Sequence, residues 1–106
     1  MERTSWNTRL RTRIEIGTGA GAIGDLVGTS IHLIGSARSE EHPADLDLVL
    51  VYNAELVSIA QALALRGGLV CFVEREFGLP VDVCLLSTRE VEQSSFLLDE
   101  YAELVR

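Results

Sequence analysis

The pattern of apolar and polar positions along this chain predicts three helices and three strands. Near the N-terminus, Trp6, Leu10 and Ile14 recur at every fourth position, which is the spacing of one helix face. Glycines between positions 17 and 28 then lower the helix propensity, so the sequence leaves the end of this helix open.

The predicted strands are the apolar runs 31–34, 46–52 and 81–86. The first run is rich in β-branched residues and is followed by Gly35. The second and third runs are apolar except for Asp47 and Asp82, a composition that predicts strands buried on both faces. In each strand the aspartate stands where packing alone would prefer an aliphatic side chain.

Two further helices are predicted between and after these strands. The first has Asn53 as its candidate N-cap, a candidate bend at Gly67 and Gly68, and Gly78 followed by Pro80 as its stop signal. Its predicted buried face consists of Leu56, Ile59, Ala60, Leu63, Ala64, Gly67, Val70 and Cys71. The second begins with a capping box at residues 87–90 and is predicted to run to about Leu104.

This order of elements predicts an α/β or α+β fold with a small mixed β-sheet and flanking helices. The 106 residues fit a single domain, residues 1–106. Because no apolar run is long enough to cross a bilayer and the N-terminus has no apolar leader, we expect a cytoplasmic protein without membrane contact. Cys71 and Cys84 lie in apolar stretches and form no close pair, so we expect buried core cysteines.

The charge balance narrows the candidate chemistry. The net charge is −7, and all nine basic residues are arginine. Without lysine, a Schiff base and a P-loop lysine are excluded. The acidic balance disfavours a broad surface for duplex nucleic acid, which needs clustered cations. The ends differ in sign, since residues 1–13 are arginine-rich and residues 90–106 are acidic. This asymmetry is expected to give two solvated surfaces, to bring the termini together, or to form head-to-tail contacts between chains.

Three aspartates form the candidate catalytic group. Asp45 and Asp47 are two residues apart at the start of a strand, so they share one face. Asp82 starts the next strand, and the intervening helix is the type of crossover that brings the two strand starts together. Three converging carboxylates repel one another unless cations are bound, and their hard oxygens suit Mg²⁺ or Mn²⁺. We therefore predict a site for two Mg²⁺ ions, with Mn²⁺ as a substitute, at these residues.

The segment directly after the first strand is a candidate phosphate-binding turn. Gly35 allows close approach of a ligand to the backbone, Ser36 can begin a short helical turn, and Arg38 adds a charged donor. In a chain without lysine, these groups are the candidates for holding a phosphate.

These motifs resemble those of the minimal nucleotidyltransferases of the DNA polymerase beta superfamily. The resemblance covers about residues 31–87 and consists of a Gly-Ser turn, a spacer, an Asp-x-Asp pair and a later third aspartate. It implies a polymerase-beta-like nucleotidyltransferase fold, with Asp45, Asp47 and Asp82 as catalytic metal ligands. It also implies that Gly35 and Ser36 contact the nucleotide phosphates with help from Arg38, and that Asp82 is a candidate base or orienter for the acceptor hydroxyl.

The resemblance implies transfer of NMP, with ATP as the favoured donor, to a hydroxyl with release of pyrophosphate. Stand-alone members resemble antitoxins that adenylylate a tyrosine of a HEPN-type toxin, so the expected acceptor lies on a partner protein or on a second copy of the chain. Two alternatives stay open: a non-catalytic interaction module on the same fold, and part of a transferase that modifies nucleic acid through another chain.

Overall fold

The computed structural model describes residues 4–106, which form a four-stranded mixed sheet flanked by helices. The strands are β1 (Thr29–Ile34), β2 (Leu46–Tyr52), β3 (Val81–Ser87) and β4 (Glu103–Leu104), in the spatial order β3-β2-β1-β4. Strand β1 is antiparallel to β2 and β4, whereas β2 and β3 are parallel. The helices are α1 (Trp6–Gly19), α2 (Ile59–Phe77), α3 (Thr88–Gln93) and α4 (Phe96–Asp99). The predicted small mixed sheet with flanking helices is confirmed.

The main core lies between one face of this sheet and the helices α1 and α2. Alternate residues of β1 and β2 point to this face because the side-chain period of a strand is two. The fully buried members of the cluster include Leu10, Ile14, Ile31, Leu33, Leu48, Leu50, Leu69 and Val73. Burial of each such side chain stabilises the fold by roughly 1.5–3 kcal/mol before conformational entropy is counted.

The opposite face of the sheet is also covered. Val49 and Val51 alternate with the core residues of β2, and both are buried. Residues 88–102 connect β3 at one edge of the sheet with β4 at the other, and α3 packs against both β3 and β2. Strand β2 is thus buried on both faces, as the sequence predicts, and the acidic C-terminal segment crosses the sheet.

Strand β3 is not the buried strand that the sequence predicts. It lies at a sheet edge with β2 as its only strand neighbour among residues 4–106, and Asp82 and Cys84 are exposed on it. An edge strand also contains apolar residues when one face packs on the core, as Val83 and Leu85 do here. An apolar run alone therefore did not separate an edge strand from a central one.

Helix α2 begins five residues later than an N-cap at Asn53 predicts, and a different face is buried. Ser58 is the N-cap and forms a capping box with Gln61. The buried residues are Ala62, Leu69, Phe72 and Val73, whereas most of the predicted face is exposed. The helix continues through Gly67 and Gly68 without a break and ends at Phe77. Gly78, the predicted stop signal, is its C-cap and has a left-handed backbone. Because this helix has apolar residues on several of its faces, periodicity alone could not select the buried one.

The final predicted helix is wrong beyond its first turns. The Ser87–Glu90 capping box is present, but α3 ends at Gln93, and Ser94 is its C-cap with an extended backbone. The short α4 and strand β4 follow, so the segment predicted as one helix to Leu104 is broken twice. The predicted burial of the cysteines is also wrong, because the thiols of Cys71 and Cys84 are free and both residues are exposed.

Candidate functional site

The three predicted aspartates meet at the end of the sheet where strands β2 and β3 begin. Asp47 and Asp82 are direct partners in the parallel register of these strands. Asp45 lies two residues before Asp47 and shares its face. One carboxylate oxygen from each of the three residues lies within 4.8 Å of the others. The convergence expected from the sequence is therefore present.

Asp47 occupies the most perturbed position in this cluster. Its side chain is half-buried, and burial raises the pKa of its carboxyl, with further upward contributions from the charges of Asp45 and Asp82. Asp82, in contrast, is exposed, so the expectation that it is a buried charge is wrong. At this separation the three carboxylates repel one another, and a divalent cation would offset that repulsion. Carboxylate oxygens are hard ligands, so these three side chains fit Mg²⁺ or Mn²⁺.

Gly35 packs directly against Asp47. The last residue of β1, Ile34, pairs with Asp47, which brings the following glycine to the same end of the sheet. Its backbone has φ +77°, and a Cβ placed on it would lie 2.7 Å from Asp47 Oδ2. Only glycine fits this position without strain and without displacing the carboxylate. The sequence suggested a close approach to a ligand here, but did not reveal the contact with Asp47.

The predicted phosphate-binding turn forms one 3-10 turn over Ser36–Arg38. The Arg38 N–H donates to the carbonyl of Gly35 at 3.3 Å, and the Ser39 N–H donates to that of Ser36 at 3.1 Å. The turn contacts β1 and β2, so its start stays beside the aspartates. Gly35 and Ser36 are thus held at the candidate site by backbone geometry.

The Arg38 side chain contacts the ring of Tyr101, a contact that the sequence did not predict. Its guanidinium carbon lies 5.7 Å from the ring centroid of Tyr101. Within residues 4–106 it forms no ion pair with a carboxylate, including the three aspartates. Sequence reasoning missed Tyr101 because it assigned this residue to a long final helix. The Ser94-Ser95 pair, which interrupts that helix, was the available signal.

A groove of about 780 Å³ opens beside the end of this turn. Its lining includes Trp6, Arg9, Ala37, Arg38 and Phe77, and none of the three aspartates lines it. The Arg9 guanidinium covers the Trp6 ring at 3.9 Å, and the Trp6 indole N–H donates to the carbonyl of Glu41 at 3.0 Å. The aromatic rings are thus engaged in packing, and the carboxylate cluster is the better candidate for the chemistry.

Comparisons of this chain with protein-family models, with curated proteins and with solved structures found no match. Among residues 4–106, no helix combines the length and the apolar character that crossing a membrane would require.

Proposed function

We propose that this chain is a divalent-metal-dependent nucleotidyltransferase that moves NMP, with ATP as the favoured donor, to a hydroxyl group. One observation carries the proposal: carboxylate oxygens of Asp45, Asp47 and Asp82 converge within 4.8 Å beside the turn that starts at Gly35. Nucleotidyl transfer by metal ions uses carboxylates that bind the ions, and here these carboxylates lie next to the candidate phosphate-binding turn. The motif resemblance supports the same reaction.

Each residue has a distinct part in this proposal. The three aspartates hold the metal ions, and bound Mg²⁺ would supply charge stabilisation at the phosphates of the donor. The backbone of Gly35 and Ser36 contacts those phosphates. Arg38 carries a guanidinium that no carboxylate within residues 4–106 neutralises, so its charge is available to an anionic ligand. Asp82 is exposed and accepts the proton of the incoming hydroxyl.

The proposed acceptor is a hydroxyl on a protein, with a tyrosine of a HEPN-type partner as the first candidate from the resemblance. The net charge of −7 supports a protein over a nucleic acid acceptor, because a polyanion would be repelled from most of this surface. A partner chain or a second copy would then contribute the groups that hold the acceptor.

Binding of the donor gives the first test. Thermal unfolding should shift upward when ATP and Mg²⁺ are added together, because a ligand that binds only the folded state stabilises it. Asp45→Ala should lose this shift. Glu55→Gln is the matched control, since Glu55 is an exposed carboxylate beyond the opposite end of β2. Equal stabilisation of the native and Asp45→Ala chains would contradict the proposed site.

A second candidate function is a non-catalytic interaction module. The observation that favours it is a group of exposed apolar side chains at the far end of the sheet from the aspartates: Val27, Leu56, Ile59 and Leu63. A cavity of about 450 Å³ lies beside Val27 and Leu56. Exposed apolar clusters often mark contact sites. Stabilisation by a partner protein, with no effect of ATP and Mg²⁺, would favour this function over the enzyme.

A further inference from the structure

Strand β3 has a free outer edge. Among residues 4–106 its only strand neighbour is β2, with which it pairs along its whole length in an unbroken parallel register. In such a ladder, alternate residues direct both backbone groups to the neighbour, and the residues between them direct both groups outward. The Leu46 N–H of β2 donates to the carbonyl of Pro80, which fixes this alternation. The outward members of β3 are therefore Val81, Val83, Leu85 and Ser87.

Glutamate side chains close both ends of this edge. The Val81 N–H donates to the Glu74 carboxylate at 3.2 Å, and the Ser87 N–H donates to the Glu90 carboxylate at 3.0 Å. Both contacts agree with an outward direction of these two N–H groups. A further strand can therefore pair with the centre of the edge only.

The centre of the edge has backbone groups without partners. Within the described residues, the outward N–H and C=O groups of Val83 and Leu85 form no hydrogen bond. A free edge is a template for another strand, and proteins usually block it with lysine, proline or a bulge. Strand β3 contains neither lysine nor proline, and its register with β2 has no bulge. The centre of this edge is thus open to a pairing strand.

A second copy of β3 supplies the matching groups. When two copies run antiparallel about a two-fold axis at Cys84, Val83 of each copy lies opposite Leu85 of the other. Each such pair exchanges two N–H···O hydrogen bonds, so every free group at the centre of both edges gains a partner. Asp82 lies opposite Leu86, so like charges do not face each other directly. Because one patch serves both sides of a two-fold interface, this match favours a second copy over an unrelated strand.

We propose that β3 pairs with β3 of a second copy and joins two four-stranded sheets into one continuous sheet. The half-buried side chains of Val83 and Leu85 then extend the core face of the sheet across the axis. The Asp82 residues of the two copies lie four strand positions apart, which separates their Cα atoms by roughly 14 Å. Each candidate site thus keeps its own three aspartates, and the pairing does not depend on nucleotidyl transfer.

The glutamates at the two ends limit the strength of this pairing. Across the axis, Val81 lies opposite Ser87 of the second copy, so Glu74 of one chain lies near Glu90 of the other. These like charges repel one another, and dissolved salt screens the repulsion. The dimer should therefore tighten as the ionic strength rises. A dimer that weakened with salt would contradict this arrangement.

Sedimentation equilibrium of the full chain in a reducing buffer tests the pairing. The native chain should form a dimer. Val83→Pro should raise the dissociation constant at least about tenfold, because proline lacks the N–H that bonds across the axis. Proline is tolerated in an edge strand where its nitrogen faces outward, so circular dichroism should show a folded variant.

Val83→Ala is the matched control, because it shortens the same side chain and keeps the N–H. It should associate more tightly than Val83→Pro. A native chain that is monomeric at every concentration, or equal association of the two variants, would overturn the proposal.

Cross-linking at Cys84 tests the register in a chain with an unchanged β3. Facing residues that do not hydrogen-bond to each other have Cα atoms about 4.5 Å apart, which is within the range of a disulfide. The Cys84 thiol is free and exposed, and so is that of Cys71 on α2, which serves as the internal control. Added diamide takes two electrons and two protons from a pair of thiols, which then form the S–S bond.

The two single-cysteine chains should differ in their rate of cross-linking. Cys71→Ser should give a covalent dimer linked through Cys84. Cys84→Ser should cross-link at least about tenfold more slowly, because its remaining thiols meet only when chains collide at random. Non-reducing gel electrophoresis measures the rates, and peptide mass spectrometry identifies the link. Equal rates would overturn the proposed register.

Discussion

At the scale of single residues, Asp47 and Gly35 define the candidate site. Asp47 has a carboxyl whose pKa is raised by burial and by two neighbouring carboxylates. Gly35 leaves the space that the Asp47 side chain occupies. The three carboxylates thus repel one another, and the absence of a side chain at Gly35 provides the space that Asp47 occupies. Such local conflict is common where a protein is built for a ligand.

Replacement of Asp47 by asparagine should stabilise the metal-free chain at neutral pH. Because the pKa of Asp47 is raised in the folded state, ionisation of this carboxyl lowers the free energy of unfolding. This destabilisation is absent below the ordinary pKa of 3.8, grows as the pH rises through the raised value, and is complete above it. In EDTA at pH 7, Asp47→Asn should raise the Tm by about 2–4 °C, the response of a domain of this size to roughly 0.5 kcal/mol.

The gain should disappear in acid, where native Asp47 is already protonated. Glu55→Gln serves as the control, since its exposed carboxylate lies beyond the other end of β2. Thermal unfolding by circular dichroism at pH 7 and in acid measures both variants. An Asp47→Asn chain less stable than the native chain at pH 7 would show that the carboxylates do not repel one another.

Replacement of Gly35 by alanine should destabilise the fold by about 1–2 kcal/mol from backbone strain alone, because its φ is +77°. The contact with Asp47 Oδ2 adds to this cost. In the double variant Gly35→Ala/Asp47→Ala the contact with the carboxylate is removed, so the double variant should be more stable than the sum of the two single effects predicts. Denaturant unfolding measures this coupling.

Gly19→Ala is the matched control, because it ends α1 with no atom within 4 Å of the added Cβ and without a positive φ. Its expected effect is neutral or slightly stabilising. If Gly35→Ala changed the free energy of unfolding as little as Gly19→Ala, the close contact of Gly35 with Asp47 would be contradicted.

At the scale of elements, capping boxes determine where α2 and α3 begin. The Ser87 hydroxyl accepts from the Glu90 N–H at 3.1 Å, and the Glu90 carboxylate accepts from the Ser87 N–H at 3.0 Å. These hydrogen bonds hold the pKa of Glu90 below its usual range. The capping box ends β3 and starts the segment that crosses the sheet toward Tyr101.

Ser87→Ala should cost about 1 kcal/mol of the free energy of unfolding, the usual effect of removing a helix N-cap.

Because the folded pKa of Glu90 is lowered, the stabilisation that its charge contributes is present above its ordinary pKa and is lost as the pH falls through the folded value. The native chain should therefore be more stable than Glu90→Gln at pH 7 but not in strong acid. Urea unfolding at both pH values measures this, and a pH-independent difference would contradict it.

The elements that the sequence predicts correctly are those with a local signal. Strand β2 and the capping box at Ser87 are examples, since an unbroken apolar run and a Ser-x-x-Glu pattern each act within a few residues. The buried face of α2 and the edge position of β3 depend on tertiary packing, which periodicity does not contain. The aspartate cluster was predictable because strand alternation and a crossover helix fix it, whereas Tyr101 depends on the pairing of β4 with β1.

At the scale of the whole molecule, charge is distributed unevenly between the two layers that cover the sheet. Helix α1 exposes Arg9, Arg11 and Arg13. The connection from β3 to β4 exposes Glu90, Glu92, Asp99 and Glu100, on the side of the sheet that α3 covers. The net charge of −7 therefore does not describe each surface. Metal ions at the three aspartates would reverse the local sign and attract a triphosphate despite the acidic total.

Transfer of radiolabel from ATP tests the proposed nucleotidyl transfer. The native chain with Mg²⁺ and candidate acceptor proteins, including the chain itself, is incubated separately with ATP labelled at the α-phosphate and at the γ-phosphate. Nucleotidyl transfer predicts protein-bound label from α-labelled ATP only, dependence on Mg²⁺, and loss of label in Asp47→Asn but not in Glu55→Gln. Label from the γ-phosphate, or equal α-label with native and Asp47→Asn chains, would rule out nucleotidyl transfer at the three aspartates.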